Sequence, residues 1–385
     1  MIRKEIGRLG KNIMYGPRLA RMKKNLTAEN ITREAIVDKA TKYVMSCQIK
    51  GRGMFGFTSH TAEPDLYSTA YAVNYLGLVG RLNLLNNTDR RNIIDYFNSH
   101  QDFDGLYRSS NLVTPASESG QGWGVMHLLP HIIIALDYLH DRPKTPFHYL
   151  YDIFNDCDPE TWVDKIFAKD ILSASNYFMN VVVALQYSRD FMNDTRSEEI
   201  LTRLIKYTND RLLIRLIDSG NVSNVLKRSE AVKTIYHLLP GLIYDKSVLG
   251  PLKGSILDMS IKTQNNIGGY GVSTLSNACE DMDSIYNIAM ISYKNKKWRS
   301  LGSLQKSLQY IPINQNDDGG FVFQRFYSFC YGGCETLSSG KNESNMFATW
   351  FRVLGYAFAD VIVNDNAKDW YFSRIPGYQW CAGLE

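Results

Sequence analysis

The residues with the most chemical potential form one short run, Cys279-Glu280-Asp281-Met282-Asp283-Ser284-Ile285, with three carboxylates inside four positions. Carboxylates this close repel one another, and at a pocket mouth one of them gains a raised pKa and becomes a usable acid. A helix N-terminus works in the opposite sense because it favours anions. The competing reading is therefore an acidic, well-capped first turn on a solvated helix end. A second run, Lys341 to Trp350, supplies Glu343, Asn345 and Trp350 after an aromatic, glycine-rich loop, Tyr327 to Glu335, that includes Tyr331. Such a loop either lines an apolar pocket or simply covers one end of the fold. Third, His127-Leu128-Leu129-Pro130 recurs 110 residues later as His237-Leu238-Leu239-Pro240. Neutral imidazoles at matching depth can move protons near pH 7. Alternatively, each ring fills the backbone acceptor that its neighbouring proline leaves open.

The elements that must position these groups repeat along the chain. Four segments end in Gln followed by a Gly-aromatic turn. They are Gln48 leading to Phe55-Gly56-Phe57, Gln101 to Gly105-Leu106-Tyr107, Gln264 to Gly268-Gly269-Tyr270, and Gln315 to Gly319-Gly320-Phe321. Helical periodicity precedes them, as in Leu301, Leu304, Leu308 and Ile311. Glycine ends a helix by accepting a left-handed conformation, and the aromatic folds back on the helix just finished.

Six helix pairs follow from this punctuation: 35–50 with 65–82, 90–102 with 121–139, 158–168 with 171–191, 197–216 with 226–244, 248–264 with 279–294, and 299–313 with 343–363. The second helix of each pair is nearly apolar all round, for example Val181-Val182-Val183-Ala184-Leu185, whereas the first carries charges on one face. Helices of the first kind are buried and those of the second face water. Six such pairs close into two concentric rings, an all-α (α/α)6 toroid spanning 35–363, with a basic arm at 1–34 and a tail at 364–385 packing on the barrel. Strand signals are poor. All inner helices run the same way, so polar residues in their first turns converge on one cavity. Asp65, Tyr67, Trp123, Ser175, Asn176, Asn180, Arg228 and Glu230 belong to that set beside the clusters above, and each also reads as a cap or a hydrogen-bonding residue.

Composition sets the outer limits. At 385 residues, 44% apolar and 21% charged, the chain has globular balance, and disorder is excluded. Aromatic residues make up 12%, as in proteins with large apolar pockets or with aromatic cores. Apolar runs fall far short of the roughly 18 residues that cross a bilayer. No signal-peptide pattern opens the chain, and the six scattered cysteines contain no CxxC pair. Reduced thiols and a cytoplasmic location are the expectation. Residues 1–24 carry a net +7 against +4 for the whole chain, so the rest sums to about −3 and a nucleic-acid groove is not expected. Ile2, Ile6, Leu9 and Ile13 lie at helical spacing in that basic arm. It either touches an anionic membrane surface as a peripheral element, packs on its own domain, or docks a partner.

Gln315-Asn316-Asp317-Asp318-Gly319-Gly320-Phe321, with weaker copies at Gln101 and Gln264, resembles the repeat of squalene-hopene cyclases and protein prenyltransferase β-subunits. Asp65 to Ala72 resembles their inner helices, and the likeness covers about 300 residues, from 35 to 363. It implies an α/α toroid whose apolar cavity holds an isoprenoid. Class II terpene cyclases protonate an alkene with the middle acid of Asp-x-Asp-Asp, to which Asp281-Met282-Asp283-Ser284 is the nearest match, with Ser in the last place. By that resemblance Asp283 is the proton donor, with Asp281 and Glu280 beside it. Tyr327 to Gly333 resembles the surroundings of the zinc Cys in prenyltransferases, yet no His follows His237, so neither a metal nor another cofactor is expected. Lanthionine cyclases need a His there too.

The leading expectation is a terpene cyclase-like isomerase or lyase that takes a small-molecule or lipid substrate. Trp123, Tyr67, Tyr331, Phe347 and Trp350 would stabilise a carbocation. His127, His237, Asn176, Glu343 and Asn345 complete the expected substrate contacts. Two other classes stand beside it: a glycan-active (α/α)6 hydrolase or lyase built on carboxylates and the paired histidines, and a non-catalytic interaction toroid.

Overall fold

The computed structural model describes residues 14–25, 32–109, 123–168, 170–221, 223–247, 249–294 and 296–380. Six inner helices are α3 (Leu66–Leu78), α5 (Trp123–Tyr138), α8 (Ile171–Met192), α11 (Val225–Tyr244), α13 (Ala278–Ser292) and α15 (Met346–Asn364). Each packs on the next, and α15 returns to α3, so the ring is closed. The outer layer is α2 (Arg33–Ser46), α4 (Asn87–Ser99), α7 (Pro159–Phe167), α9 (Thr195–Tyr207) continuing into α10 (Leu213–Gly220), α12 (Leu252–Lys262) and α14 (Trp298–Tyr310). This is the all-α toroid that the repeat predicts.

Burial separates the two rings. Every residue of α3 is buried, whereas α4 buries only Ile93 and Phe97. Helix α15 is long and apolar enough to span a bilayer, but it is an inner helix, 94% buried. The departures from the expected pairs are local. The fourth outer helix is split by a π turn at Thr208–Leu212, and a short α6 (Tyr149–Phe154) and an α1 at 14–25 are added. The strands among the described residues are a two-residue hairpin, β1 (Phe329–Cys330) with β2 (Ser338–Ser339), in the loop before α15.

Three of the Gln-Gly turns tie their unit to the one that follows. Gln315 Nε2 donates to Gly319 O at 2.9 Å within its own turn and to Ile36 O of α2 at 3.0 Å. Gln264 does the same with Gly268 O at 3.1 Å and Ser303 O of α14 at 2.8 Å, and Gln101 with Gly105 O at 3.0 Å and Thr145 O at 2.9 Å. Gly319 has φ +92, and a Cβ there would sit 2.0 Å from Lys39 O. Glycine is required twice over, by conformation and by the approach of the neighbouring helix.

N-caps turn the inner helices into a common front. Asp65 caps α3, Asp170 α8, Asn224 α11, Asn277 α13 and Asn345 α15, each side chain accepting from a first-turn backbone N–H. The tail crosses the opposite end of the ring. Trp370 Nε1 donates to the buried Asp360 at 2.9 Å, Tyr371 N to Leu78 O at 2.8 Å, and Gln379 Nε2 to Pro240 O at 3.0 Å.

Of the basic arm, Ile2, Ile6, Leu9 and Ile13 lie outside the described residues. Helix α1 packs on its own domain: Leu19 is fully buried with Ile267, Leu275, Tyr310 and Ile313, and Tyr15 stacks on Phe326 at 4.4 Å.

The closing turn gives a stability test. Gly319→Ala forces a side chain into a left-handed residue and against the α2 backbone, a combination expected to cost about 2–4 kcal/mol. Urea unfolding of the purified variant reads this directly, and an unchanged midpoint would contradict the closing role of the turn.

Candidate functional site

A cavity of about 320 Å3 lies inside the ring, reached by the first turns of the inner helices. Its walls come largely from i, i+4 pairs, the spacing that puts two side chains on one helix face. Helix α8 gives Leu172 and Asn176, α11 gives Lys233 and His237, α13 gives Cys279 and Asp283, and α15 gives Phe347 and Phe351. His127 of α5, Tyr331 of the hairpin loop and Tyr378 of the tail complete the ring of contacts, with Tyr236 and Phe323. Ser173, Met179 and Asn277 belong to the lining too, so aromatic and apolar side chains share the wall with a substantial polar set.

The three clustered acids have different surroundings. Glu280 completes a capping box: its carboxylate accepts from Asn277 N at 3.1 Å while Asn277 Oδ1 accepts from Glu280 N at 2.9 Å. Asp281 turns away from the cavity. It accepts from Arg352 Nη1 at 2.7 Å and from Tyr270 N at 2.9 Å, and Arg352 also donates to Val322 O and Phe323 O. The Asp281 carboxyl is pushed up by burial, against the pull of Arg352 and the Tyr270 N–H. The pair joins α13 to α15 and to two of the glycine turns.

Only Asp283 of the three lines the cavity. Its side chain is buried, and burial raises its pKa well above the usual carboxylate range; Lys233 pulls it back, while Glu280 and Asp281 push it further up. A carboxyl in this state keeps its proton to higher pH than a solvated one. Asp65, the α3 cap, is another raised acid, pushed up to about 7 by burial, and does not line the cavity.

The two histidines face each other across this space. His127 Nδ1 lies 3.2 Å from Tyr67 Oη and 3.3 Å from Tyr331 Oη, and the Tyr331 hydroxyl is 2.5 Å from that of Tyr71. His237 Nδ1 lies 2.9 Å from Ser175 Oγ, and its Nε2 is 3.5 Å from Asn176 Nδ2. Both imidazoles are pushed down to about 3 by burial, His127 also by His237 and His237 by Lys233, so both are neutral bases. Both proline-containing helices continue through Pro130 and Pro240.

The remaining expected contacts fall elsewhere. Glu343 accepts from Gly340 N and holds its own loop; Asn345 is the α15 cap and donates to Ser339 Oγ at 3.1 Å. Trp350 stacks on Tyr71 at 4.8 Å below the cavity, and Tyr67 donates to Gly124 O from the wall behind His127. The side chain of Trp123 lies outside the described residues. Sequence reasoning missed Lys233 and Tyr236, although Lys233 sits one turn before His237 on the same face. Cys279 and Phe351 were likewise readable as the i±4 partners of Asp283 and Phe347. Tyr378 had no such signal, because the tail has no periodicity.

The zinc ion that the prenyltransferase likeness implies does not fit these residues. Cys330 is exposed and donates to Cys334 O at 3.4 Å, and among the described residues no three His, Cys, Asp or Glu side chains are grouped to hold a metal.

A closed ring of six inner and six outer helices around an aromatic cavity defines the class of protein. The chain belongs to the prenyltransferase family: the description of the prenyltransferase alpha-alpha toroid domain matches residues 21–120 and 173–334, more than half of the sequence. No curated protein matches it. At the family level this fold connects the chain with isoprenoid chemistry and with a small isoprenoid or lipid ligand.

The differing roles of Asp281 and Asp283 separate in a denaturation series. Asp281→Asn leaves the buried Arg352 unpaired and is expected to cost about 3–5 kcal/mol. Asp283→Asn behaves in the opposite sense. The folded protein holds the Asp283 proton more tightly than the unfolded chain, so wild-type stability declines as pH rises from the unfolded pKa toward the raised folded one. The Asn variant has no proton to lose, and its Tm should exceed that of wild type at pH 8 while the two converge near pH 4.

Proposed function

We propose that this protein cyclises or isomerises an isoprenoid by protonating an alkene, with Asp283 as the acid. The observation that carries the reading is a single buried carboxyl, its pKa raised by burial, lining a cavity beside several aromatic rings. Proton transfer from Asp283 to one alkene carbon leaves a cation on its neighbour. The faces of Tyr236, Tyr331, Tyr378, Phe347 and Phe351 stabilise that charge without reacting with it. An internal double bond can then attack, closing a ring. Loss of a proton from an adjacent carbon to a neutral imidazole, His127 or His237, ends the sequence. One proton enters and one leaves, so the product is an isomer of the substrate.

The cavity size favours a short chain, since about 320 Å3 is at the lower end of the range of small-molecule sites. The glycan-active alternative needs two carboxylates flanking one bond. Asp283 is the sole carboxylate among the described lining residues, and this counts against that reading. Incubation with prenyl diphosphates and linear polyprenes, followed by gas chromatography and mass spectrometry, should yield cyclic or double-bond-shifted isomers. Asp283→Asn should reduce the yield by at least about 100-fold, the lower range for general-acid catalysis. In wild type the rate should fall as pH rises through the raised pKa of Asp283 and it loses its proton. Unchanged turnover in Asp283→Asn would refute the assignment; a thermal shift produced by a protein partner alone would favour the interaction toroid.

A cytoplasmic protein that meets its substrate at an anionic membrane surface, through basic residues 1–24, is part of the same proposal. Arg18, Arg21 and Lys24 are exposed on α1 and offer an electrostatic attraction to anionic lipid. Co-sedimentation with anionic vesicles should therefore fall steeply as salt rises.

A further inference from the structure

The two His-Leu-Leu-Pro imidazoles share one device. A neutral imidazole carries a single proton, and the partner of one ring nitrogen decides which nitrogen holds it. The Ser175 hydroxyl commits its only proton to Leu172 O at 2.9 Å, within α8. Toward His237 Nδ1, also at 2.9 Å, it can therefore only accept. The proton lies on Nδ1, and Nε2 carries the lone pair. The other side of the ring agrees. Asn180 Nδ2 donates to Asn176 Oδ1 at 3.2 Å, which turns Asn176 Nδ2 toward His237 Nε2 at 3.5 Å. A donor there faces an acceptor, and a contact at the outer limit of a hydrogen bond leaves the lone pair available. The same accounting holds for His127, because Tyr67 donates to Gly124 O at 2.7 Å and so accepts from His127 Nδ1 at 3.2 Å. Neutral histidine in water favours the opposite form, with the proton on Nε2.

The walls around the two rings differ. His237 shares its wall with Lys233, one turn earlier on α11, and with Cys279 and Asp283 of the adjacent α13. His127 stands among the rings of Tyr67, Tyr331 and His131, at 5.8, 6.0 and 4.7 Å, which offer an imidazolium no carboxylate. Burial and Lys233 keep His237 unprotonated while Asp283 holds its proton. Once Asp283 has given that proton away, its carboxylate offsets the Lys233 charge and favours an imidazolium on the same wall. Acid and base are thus coupled in sequence.

We infer that His237, through Nε2, is the base that ends the rearrangement, and that Ser175 is the positioning residue that holds it in the competent tautomer. The base role rests on the isoprenoid reading; the tautomer does not. In this step a C–H bond beside the cation breaks, and its electron pair becomes the new double bond. The proton forms an N–H bond at Nε2. The imidazolium then returns it to the Asp283 carboxylate, which readies both groups for the next turnover.

The test combines nitrogen NMR of the full chain, isotopically labelled in histidine, with turnover of prenyl diphosphates and linear polyprenes. Loss of one ring signal in His237→Gln assigns the residue. Wild type should show a protonated Nδ1 and an unprotonated Nε2 for His237 at pH 7. Ser175→Ala should move the proton to Nε2 and lower kcat at least about tenfold, since a base in the wrong tautomer is lost to the reaction. Ser175→Thr keeps the hydroxyl and should restore both readings. His237→Gln should also change the product, to an alcohol formed by water or to another double-bond isomer. Circular dichroism and Tm identify any variant that does not fold, and the wild-type spectrum then decides the tautomer by itself. A proton on Nε2 in wild type overturns the inference and leaves Asp283 as the acid. Unchanged rate and product in folded His237→Gln, with Asp283→Asn inactive, does the same. No isomer from wild type overturns the isoprenoid reading and the base role with it, while the spectrum still reads the tautomer that Ser175 holds.

Discussion

The structure depends on one closing contact, the turn at Gln315 to Gly319 against α2. The last outer helix must end where the first begins, and Gln315 bridges the two by bonding both its own turn and Ile36 O. The fit leaves no room for a side chain at position 319. Such a bond joins residues far apart in sequence, so much loop entropy is lost before any packing is gained. Repeating the same device at Gln101 and Gln264 lets neighbouring pairs lock locally first. The buried Asp281–Arg352 pair acts in the same place, tying the last two inner helices to the turns beside them.

Ring closure also dictates electrostatics. Parallel inner helices bring their capped N-termini to one end, and the positive ends of their dipoles point to the cavity mouth. An acid placed there would ordinarily be ionised. For Asp283 burial outweighs the dipoles and Lys233, and the neighbouring Glu280 and Asp281 push the same way. The cavity therefore combines an acid whose pKa burial raises, neutral imidazoles and aromatic faces, the set on which the proposed cationic rearrangement rests. A protein that used these groups only for stability would have little reason to leave open space between them.

Much of the architecture is legible in the sequence, since a repeat with alternating amphipathic and apolar helices leaves few ways to bury the apolar set. The six pairs lie close to their expected bounds, including α12 with α13 and α14 with α15. Less visible are the third and fourth pairs, where the Gln-Gly turn is missing and a π turn at Thr208–Leu212 interrupts the fourth outer helix. The site is legible only in part. Residue type drew attention to Glu343 and Asn345, which hold a loop and cap a helix, because polarity at a helix start marks caps as readily as ligands. Side-chain direction, which separates Asp281 from Asp283, is a property of the folded packing. Tyr378 arrives through a tail whose path is set by bonds to Asp360, Leu78 and Pro240, and no local pattern encodes it.

The proposed chemistry requires that the ring keep the Asp283 carboxyl protonated beside the cavity. Infrared difference spectroscopy between the wild type and the Asp283→Asn variant at pH 7 tests it without any substrate. Asp65 and other buried acids contribute equally to both samples and cancel. The expected result is a protonated carboxyl band in the wild type that disappears in the variant. A difference spectrum showing loss of a carboxylate band instead would mean that Asp283 is ionised, and the proposed acid chemistry would fall with it.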